Sequence, residues 1–444
     1  MNTTEQFSTY GIHIPELLLP QSSVDIEKWA VIACDQYTQD RDYWKQAADF
    51  TAGSPSLLNI ILPEVYLEDG DRQERLENIR FTMNKYLSDG VFASPLTGMM
   101  YIERKTGFGR LRKGLVTAID LEAYDWRPDS KALIRATEAT ITDRIPPRME
   151  IRRGAPLESP HIMLLADDPR KALVEGLGSR VREQTPAYSS ALMFGSGEIT
   201  GWTVTSPEDL AYTSEVLKSL AEQHTAPDGS CFLFAVGDGN HSLATAKAVW
   251  DEYKSAHPEA AGTDHPARYA LVEIVNLYDD GLTFEPIHRV LFGTNSGELA
   301  LFLRERLGGS IQGISSPEEL EQLIASKDIP SGITRFGFAG TSNEGIAEYA
   351  VLETTADRLA VSLIQKELDA YLELHRDVKI DYIHGADEVF RLSVEPHAAG
   401  ILLPPVEKNS FFDTIANGGP LPRKSFSMGE ASEKRFYMEC RKLV

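Results

Sequence analysis

Six consecutive residues near the middle of the chain combine a glycine turn with groups that can bind an anion or move a proton. They are Gly237, Asp238, Gly239, Asn240, His241 and Ser242. Backbone amides at the start of a helix face the positive end of its dipole and suit a phosphate or carboxylate. A histidine there can contact phosphate or exchange a proton. The alternative left open by the pattern is that the glycines only shape a turn and that Asn240 or Ser242 caps the helix.

The residues on either side of this turn predict the two elements that position it. Residues 231–236 form an apolar run typical of a buried strand. Leu243, Ala246, Trp250 and Tyr253 then follow at the spacing of one helix face. No Gly-Lys-Ser/Thr follows the turn, which excludes a Walker A loop, and Ser242 stands where the third glycine of a dinucleotide-binding fingerprint belongs.

A second candidate is the densest basic run of the chain. Its members are Arg144, Arg148, Arg152 and Arg153. The guanidinium group matches phosphate and carboxylate geometry, so Arg144 and Arg148 are candidate phosphate ligands. A solvated charged face is the alternative. Because Pro146 and Pro147 lie within this run, the sequence predicts that no helix continues through it.

Three further groups could take part in chemistry. Glu138 could be the base that activates a hydroxyl, although an ordinary surface glutamate is equally compatible with the sequence. His288 and Arg289 could contact a substrate or form a buried pair, and Arg423 and Lys424 could close over a ligand or pack against the core. The other histidines show no metal-ligand spacing, so we predict no structural metal.

Composition limits the partners of the protein. The chain has 444 residues, of which 42% are apolar and 25% charged, and a net charge of −22. A strongly acidic surface disfavours nucleic acid and anionic membranes but leaves room for a small anionic ligand in a basic pocket. Three widely spaced cysteines and the lack of a long apolar run favour a cytoplasmic protein without disulfides. Homo-oligomerisation is left open.

The order of patterns predicts a mixed α/β chain of the α+β class with two domains. We expect a hairpin around residues 105–107 and helices over 71–89, 169–182 and 206–224. The glycine-containing stretch 292–297 predicts a junction. The predicted domains are therefore residues 1–292, which carry the glycine turn, and residues 298–444, which form a C-terminal α/β region that contributes a basic loop.

Several motifs, in order along the chain, resemble the bacterial domain-of-unknown-function 1015 family. They include the turn Gly-Asp-Gly-Asn-His-Ser-Leu-Ala-Thr-Ala-Lys, the segment from Gly281 to Arg289, and Leu-Pro-Arg-Lys-Ser-Phe at 421–426. Glu158-Ser159-Pro160-His161 also fits the family pattern. The family's central motif is similar to the Gly-His-Arg turn of the ParB/sulfiredoxin-like fold, which also includes free-serine kinases. The resemblance therefore implies a ParB/sulfiredoxin-like core with large insertions.

For function, the resemblance implies a nucleotide or phosphate site at Asp238, Gly239 and His241, with ATP or ADP and Mg²⁺ as cofactors. Glu138 would then activate a small hydroxyl substrate such as serine. The chain departs from the family motif at two positions, since Asn240 replaces a histidine and Ser242 an arginine. Our first hypothesis is a small-molecule phosphotransferase. The alternatives are a non-catalytic nucleotide or metabolite sensor and a hydrolase of a phosphorylated small molecule.

Overall fold

A computed structural model describes residues 3–159, 162–326, 328–342, 344–356, 358–422 and 424–443. Within these residues the chain divides into two compact units. The first comprises Met1–Leu282 and Gly429–Val444, and the second comprises Thr283–Met428. The first unit is therefore built from two separate stretches of sequence.

The α-helices of the described residues are α1 (Thr3–Ser8), α2 (Ile26–Trp29), α3 (Arg41–Thr51), α4 (Arg72–Ser88), α5 (Ile145–Arg152), α6 (Val174–Val181), α7 (Pro207–Gln223), α8 (Asn240–Ala256), α9 (Ser296–Leu307), α10 (Pro317–Ala325), α11 (Ala360–Leu374), α12 (Ala386–Ser393) and α13 (Phe411–Gly418).

The strands of the described residues are β1 (Ile12–His13), β2 (Glu16–Leu17), β3 (Val31–Ile32), β4 (Leu96–Thr97), β5 (Met99–Thr106), β6 (Leu111–Asp120), β7 (Tyr124–Asp125), β8 (Ile134–Ala136), β9 (Leu157–Glu158), β10 (Met163–Ala166), β11 (Tyr188–Ala191), β12 (Gly197–Val204), β13 (Phe234–Asp238), β14 (Tyr269–Asn276), β15 (Phe284–Phe292), β16 (Ser310–Ile314), β17 (Ile333–Thr341), β18 (Ala347–Thr355), β19 (Lys379–His384), β20 (Ala398–Leu402), β21 (Phe426–Met428), β22 (Phe436–Tyr437) and β23 (Arg441–Lys442).

A mixed sheet forms the centre of the first unit. Its strand order is β11-β12-β5-β6-β14-β10-β13-β8-β7, with β1 paired to β6. Most neighbours are antiparallel, but β13 and β8 run parallel, as do β7 and β8 and also β10 and β14. Because β8 and β13 are parallel neighbours, the loops that follow both strands leave the sheet at the same edge.

Both faces of this sheet are covered, as the alternation of side chains along its strands requires. On β5, Met100 and Ile102 face one core, which includes side chains from α3 and α4, while Met99 and Tyr101 face the other. The second core includes side chains from α6, α7 and α8. On α8, Leu243, Ala246 and Trp250 are fully buried. Each large apolar side chain contributes roughly 1.5–3 kcal/mol, so α8 is firmly fixed to the sheet.

The second unit has its own sheet and core. Strands follow the order β16-β18-β17-β20-β15-β19, with β21 paired to one end of β15. Helices α9, α10 and α12 contribute contacts to this sheet, and its core includes Val290, Leu320 and Val389.

Several sequence predictions are confirmed. The periodic segments become α4 and α7, and Ser206 caps α7 by accepting a hydrogen bond from the amide of Asp209. Strands β5 and β6 form the predicted hairpin. The helix predicted over 169–182 is shorter, beginning at Val174.

The prediction that Pro146 and Pro147 exclude a helix is wrong. Helix α5 begins at Ile145 and has the two prolines in its first turn. Proline is compatible with that turn because its missing amide would have no partner within the helix.

The compact units also differ from the predicted domains. Strand β15, which the prediction placed in the first domain, pairs with β19, β20 and β21 of the second unit. Residues 429–443, predicted for the second domain, pack in the first unit, where β22 pairs with β3 and β23 with β9. A local pattern of glycines could not reveal this return of the chain. In the part of the chain that the structure describes, no helix has the length and apolar character needed to cross a membrane.

Candidate functional site

The predicted turn joins the end of β13 to the beginning of α8. Strand β13 ends at Asp238, and Gly239 has a φ of 80°, a left-handed conformation in which a side chain is unfavourable. Helix α8 begins at Asn240, and its N-cap residue, Gly239, has no side chain with which to cap it. Apart from Gly239, the six residues of the turn are partly exposed. The first turn of α8 therefore presents a helix N-terminus to solvent.

The loop after β8 lies beside this turn. Thr137 donates a hydrogen bond to the carbonyl oxygen of Val236 on β13, with 2.6 Å between the two oxygens. Glu138 follows directly and is partly exposed. Because β8 and β13 are parallel, Glu138 and Asp238 leave the same edge of the sheet. The structure therefore places the two predicted carboxylates at one edge.

His241 is held by the same loop. Its Nε2 accepts a hydrogen bond from the amide of Ile141 at 3.3 Å. Burial, followed by the charges of Arg144 and Arg148, lowers the pKa of His241 to about 4, while Asp35 acts in the opposite direction. His241 is therefore neutral at neutral pH. Since Nε2 accepts, the proton lies on Nδ1, and the ring can donate one hydrogen bond to a ligand.

The arginine run proves to be mostly paired. Arg148 bonds to Glu64, Arg152 to Glu158, and Arg153 to Glu252. Arg144 is exposed, and within the described residues no carboxylate forms an ion pair with it. These contacts make Arg144 the member of the run that is most available to an anionic ligand.

Asp238 is paired on both sides of its carboxylate. One oxygen accepts from the amide of Gly239 at 3.1 Å, and the other lies 3.3 Å from Nζ of Lys434. Lys434 belongs to the C-terminal segment that packs in the first unit. A cation that the sequence analysis did not single out therefore lies against the turn.

The side-chain nitrogen of Asn240 has hydrogen-bond acceptors nearby, whereas its side-chain oxygen has no hydrogen-bond donor among the described residues. Its Nδ2 lies 3.4 Å from Oγ1 of Thr137 and 3.5 Å from the carbonyl oxygen of Val236. Its Oδ1 is buried and forms no hydrogen bond with the described residues. A donor group on a ligand would satisfy this oxygen.

The other predicted substrate residues lie in the second unit. His288 is buried, and its Nδ1 accepts from the amide of Leu403 at 3.0 Å. Arg289 is fully buried and bonds to Gln365 and to the carbonyl oxygen of Lys424. These contacts give His288 and Arg289 structural roles, and their contact with a substrate stays a prediction.

The structure describes only one of the two residues of the predicted basic loop. Lys424 is exposed and has a positive φ of 59°. Arg423, and His161 of the family motif, lie outside the described residues. The basic loop at 423–424 therefore stays a prediction.

Sequence reasoning missed three charged residues. Lys434 pairs with Asp238, Asp35 acts on the pKa of His241, and Glu64 pairs with Arg148. A signal existed for Asp35, because it follows the short apolar strand β3 by only a few residues. Lys434 carries no such signal, since almost 200 residues separate it from Asp238.

A family profile described as "Protein of unknown function (DUF1015)" matches residues 18–371. No curated protein matches significantly.

Solved structures with some likeness include a free serine kinase in complex with AMP, at 11% identity and a TM-score of 0.36, over 74% of this chain and 92% of that chain. A variant of free serine kinase in complex with ADP gives 10% identity, the same TM-score and the same coverage. A conserved hypothetical protein from Pyrococcus furiosus gives 10% identity and a TM-score of 0.34, over 74% of this chain and 94% of that chain. Likenesses of this strength are too weak to assign a function.

Proposed function

We propose that this chain, which belongs to the DUF1015 family of unknown function, is a small-molecule phosphotransferase. It would bind the phosphate groups of a nucleotide at the turn Gly237–Ser242. We also propose a ParB/sulfiredoxin-like core for the first unit, on the motif resemblance. The nucleotide would be ATP or ADP, and the acceptor a small hydroxyl compound such as serine.

One observation carries the proposal: the start of α8 lies near Arg144, an exposed arginine with which no carboxylate of the described residues forms an ion pair. Burial is the main cause of the lowered pKa of His241, and the charge of Arg144 is the next. Arg148 and Lys434 also lie nearby, but each is paired with a carboxylate, Glu64 and Asp238 respectively. The net charge of the whole chain is −22. Backbone amides at a helix start, with an arginine nearby that no carboxylate neutralises, favour an anionic ligand.

The proposed roles follow from the contacts. The amide of Gly239 already donates to Asp238. Amides of residues 240–242 and the guanidinium of Arg144 would bind phosphate, and His241 would orient it by donating from Nδ1. Because this imidazole is neutral, it would not act as an imidazolium acid at neutral pH.

Phosphoryl transfer would proceed by attack of the acceptor hydroxyl oxygen on the terminal phosphorus of ATP, with loss of ADP. The hydroxyl proton would pass to Glu138 or Asp238 as general base. Carboxylate oxygens of this pair also suit Mg²⁺, which would offset phosphate charge when bound.

A ligand screen tests the proposal. Thermal unfolding is measured with ATP, ADP, serine and phosphoserine, each with and without Mg²⁺, and phosphate transfer is followed by ³¹P NMR. We expect a higher midpoint with a nucleotide and transfer to a hydroxyl acceptor. Binding without turnover would instead indicate a sensor, and transfer only to water a hydrolase. Failure of every phosphate compound to raise the midpoint would contradict a phosphate site at the turn.

A further inference from the structure

Lys434 reaches the turn from a part of the chain with no other evident role in the site. Its Nζ lies 3.3 Å from Oδ2 of Asp238, and its side chain retains 12% exposure against 25% for Asp238. A lysine side chain so placed is largely desolvated but not fully buried. Partial desolvation strengthens its attraction for a second anion.

The two neighbours of Lys434 are anchored by buried charges. On one side, Glu433 accepts hydrogen bonds from Oγ1 of Thr106 at 2.8 Å and from Arg110 at 3.0 Å. Its carbonyl oxygen accepts from Arg112 at 2.6 Å. The side chain of Glu433 is only 4% exposed, so this residue is held firmly against the β5–β6 hairpin.

On the other side, Arg435 bonds to Glu273 at 3.0 Å and also to Glu439. All three side chains are almost entirely buried. Breaking a buried ion pair leaves an uncompensated buried charge, so this anchor does not exchange readily with solvent.

Lys434 is thus the one residue between these anchors, and its backbone is fixed where its side chain meets Asp238. Positioning a cation before the ligand arrives reduces the entropy lost on binding. The lysine ammonium carries three donors and no fixed fork, so it can contact Asp238 and a phosphate oxygen together or exchange one for the other.

We propose that Lys434 is a phosphate-binding residue of this site and that its ammonium is shared with, or transferred from, Asp238 when a nucleoside di- or triphosphate binds. This inference rests on the proposed function of the turn. The carboxylate of Asp238 would then be released for proton acceptance, so the lysine would couple phosphate binding to the state of the base.

Binding measurements with matched variants test the proposal. Dissociation constants for pyrophosphate, ADP and adenosine are measured by calorimetry without Mg²⁺ for the wild type, Lys434→Gln, Lys434→Arg and Lys442→Gln. Lys442 is an exposed lysine of the same segment and is the control. We expect Lys434→Gln to weaken pyrophosphate and ADP at least tenfold and to leave adenosine unchanged. Lys434→Arg should retain part of the affinity, and Lys442→Gln all of it.

Asp238→Asn provides a second test that does not depend on the folding of the lysine variant. Since this change frees Lys434 from its carboxylate, we expect pyrophosphate to bind more tightly. Unchanged or weaker binding by Asp238→Asn, or wild-type affinity in a folded Lys434→Gln protein, would overturn the role of Lys434 while leaving the proposed function intact. If the wild type binds neither pyrophosphate nor ADP, both proposals fail.

Discussion

Two histidines, one in each unit, have a pKa lowered to about 4, but they differ in their charged neighbours and in their exposure. Burial is the first cause in both cases, and the pKa of each falls to about 4. For His241 the next causes are Arg144 and Arg148, whereas for His288 they are its neighbour Arg289 and His384. His241 is partly exposed at a helix start, while His288 is 6% exposed inside the second unit.

The difference shows that a displaced pKa alone does not identify a functional site. His288 uses Nδ1 to accept from the amide of Leu403, which satisfies a buried donor. His241 also accepts a hydrogen bond, from the amide of Ile141, but this residue stays partly exposed to solvent. A titrating group marks a candidate site when it is perturbed and still accessible. His241 meets both conditions, and His288 meets only the first.

Replacement of His288 should have the largest effect on stability. His288→Ala removes the acceptor of the Leu403 amide and leaves a cavity, so we expect the free energy of unfolding to fall by about 2–4 kcal/mol. Urea denaturation measures the change, with the exposed His375 replaced by alanine as control. A stable His288→Ala protein with weakened nucleotide binding would instead identify His288 as a substrate contact.

Replacement of His241 should change binding and not stability. For His241→Ala we expect at least a tenfold loss of affinity for ADP, or about 1.4 kcal/mol, with thermal stability nearly unchanged. Calorimetric titration and thermal unfolding measure the two quantities on the same sample. Collapse of folding in this variant would show that His241 is structural like His288.

Acid should destabilise the fold through both histidines. Each has a pKa near 6.5 in the unfolded chain and about 4 in the folded protein, so the unfolded chain binds the proton more tightly. Their contribution is complete above pH 6.5 and is lost as pH falls toward 4, on the order of 1 kcal/mol per pH unit at the steepest point.

Asp279 should oppose this trend. Burial raises the pKa of Asp279 to about 6, so its folded form binds the proton more tightly and its contribution grows as pH falls from 6 toward 4. The free energy of unfolding should therefore fall more steeply from pH 6 to pH 4 for Asp279→Asn than for the wild type.

For His288→Ala, the free energy of unfolding should fall less steeply over the same pH range than for the wild type. A slope equal to that of the wild type would contradict the buried, neutral state of His288.

Replacement of Arg144 should give the smallest effect on binding, and of the two histidines it should affect only His241. We expect Arg144→Ala to weaken ADP binding about three- to tenfold and to raise the pKa of His241, because a nearby positive charge is removed. Proton NMR follows the His241 titration. Arg153→Ala, at an exposed arginine paired with Glu252, is the matched control. Equal effects of the two changes would indicate a general charge effect and no specific site.

The strand, turn and helix around His241 could be predicted because their signals are local. A change from an apolar run to a helical period, with glycines between, is contained in about 20 residues. Packing confirms it, since the predicted inward positions Leu243, Ala246 and Trp250 are fully buried. The two carboxylates at one sheet edge could not be placed beforehand, because the pairing of β8 with β13 joins segments about 100 residues apart.

The remaining parts of the site arise from tertiary structure. Lys434 meets Asp238 only because the chain returns to its first unit after residue 428. The availability of Arg144 could not be distinguished from that of Arg148 or Arg153 in the sequence, since it depends on where Glu64 and Glu252 lie in space. Helix α5 was missed because the exclusion of proline applies to helix interiors and not to the first turn.

The divided first unit has a consequence for biosynthesis. Glu273 is translated well before Arg435, and 146 residues of the second unit lie between the two stretches that build the first. At about 5–20 residues per second, a ribosome takes roughly 7–30 seconds to cross that interval. During this time the buried carboxylate of Glu273 lies beside the more distant guanidinium of Arg112, at 3.6 Å, and still lacks its shorter ion pair with Arg435. Newly made protein should therefore depend on chaperones until its final residues emerge.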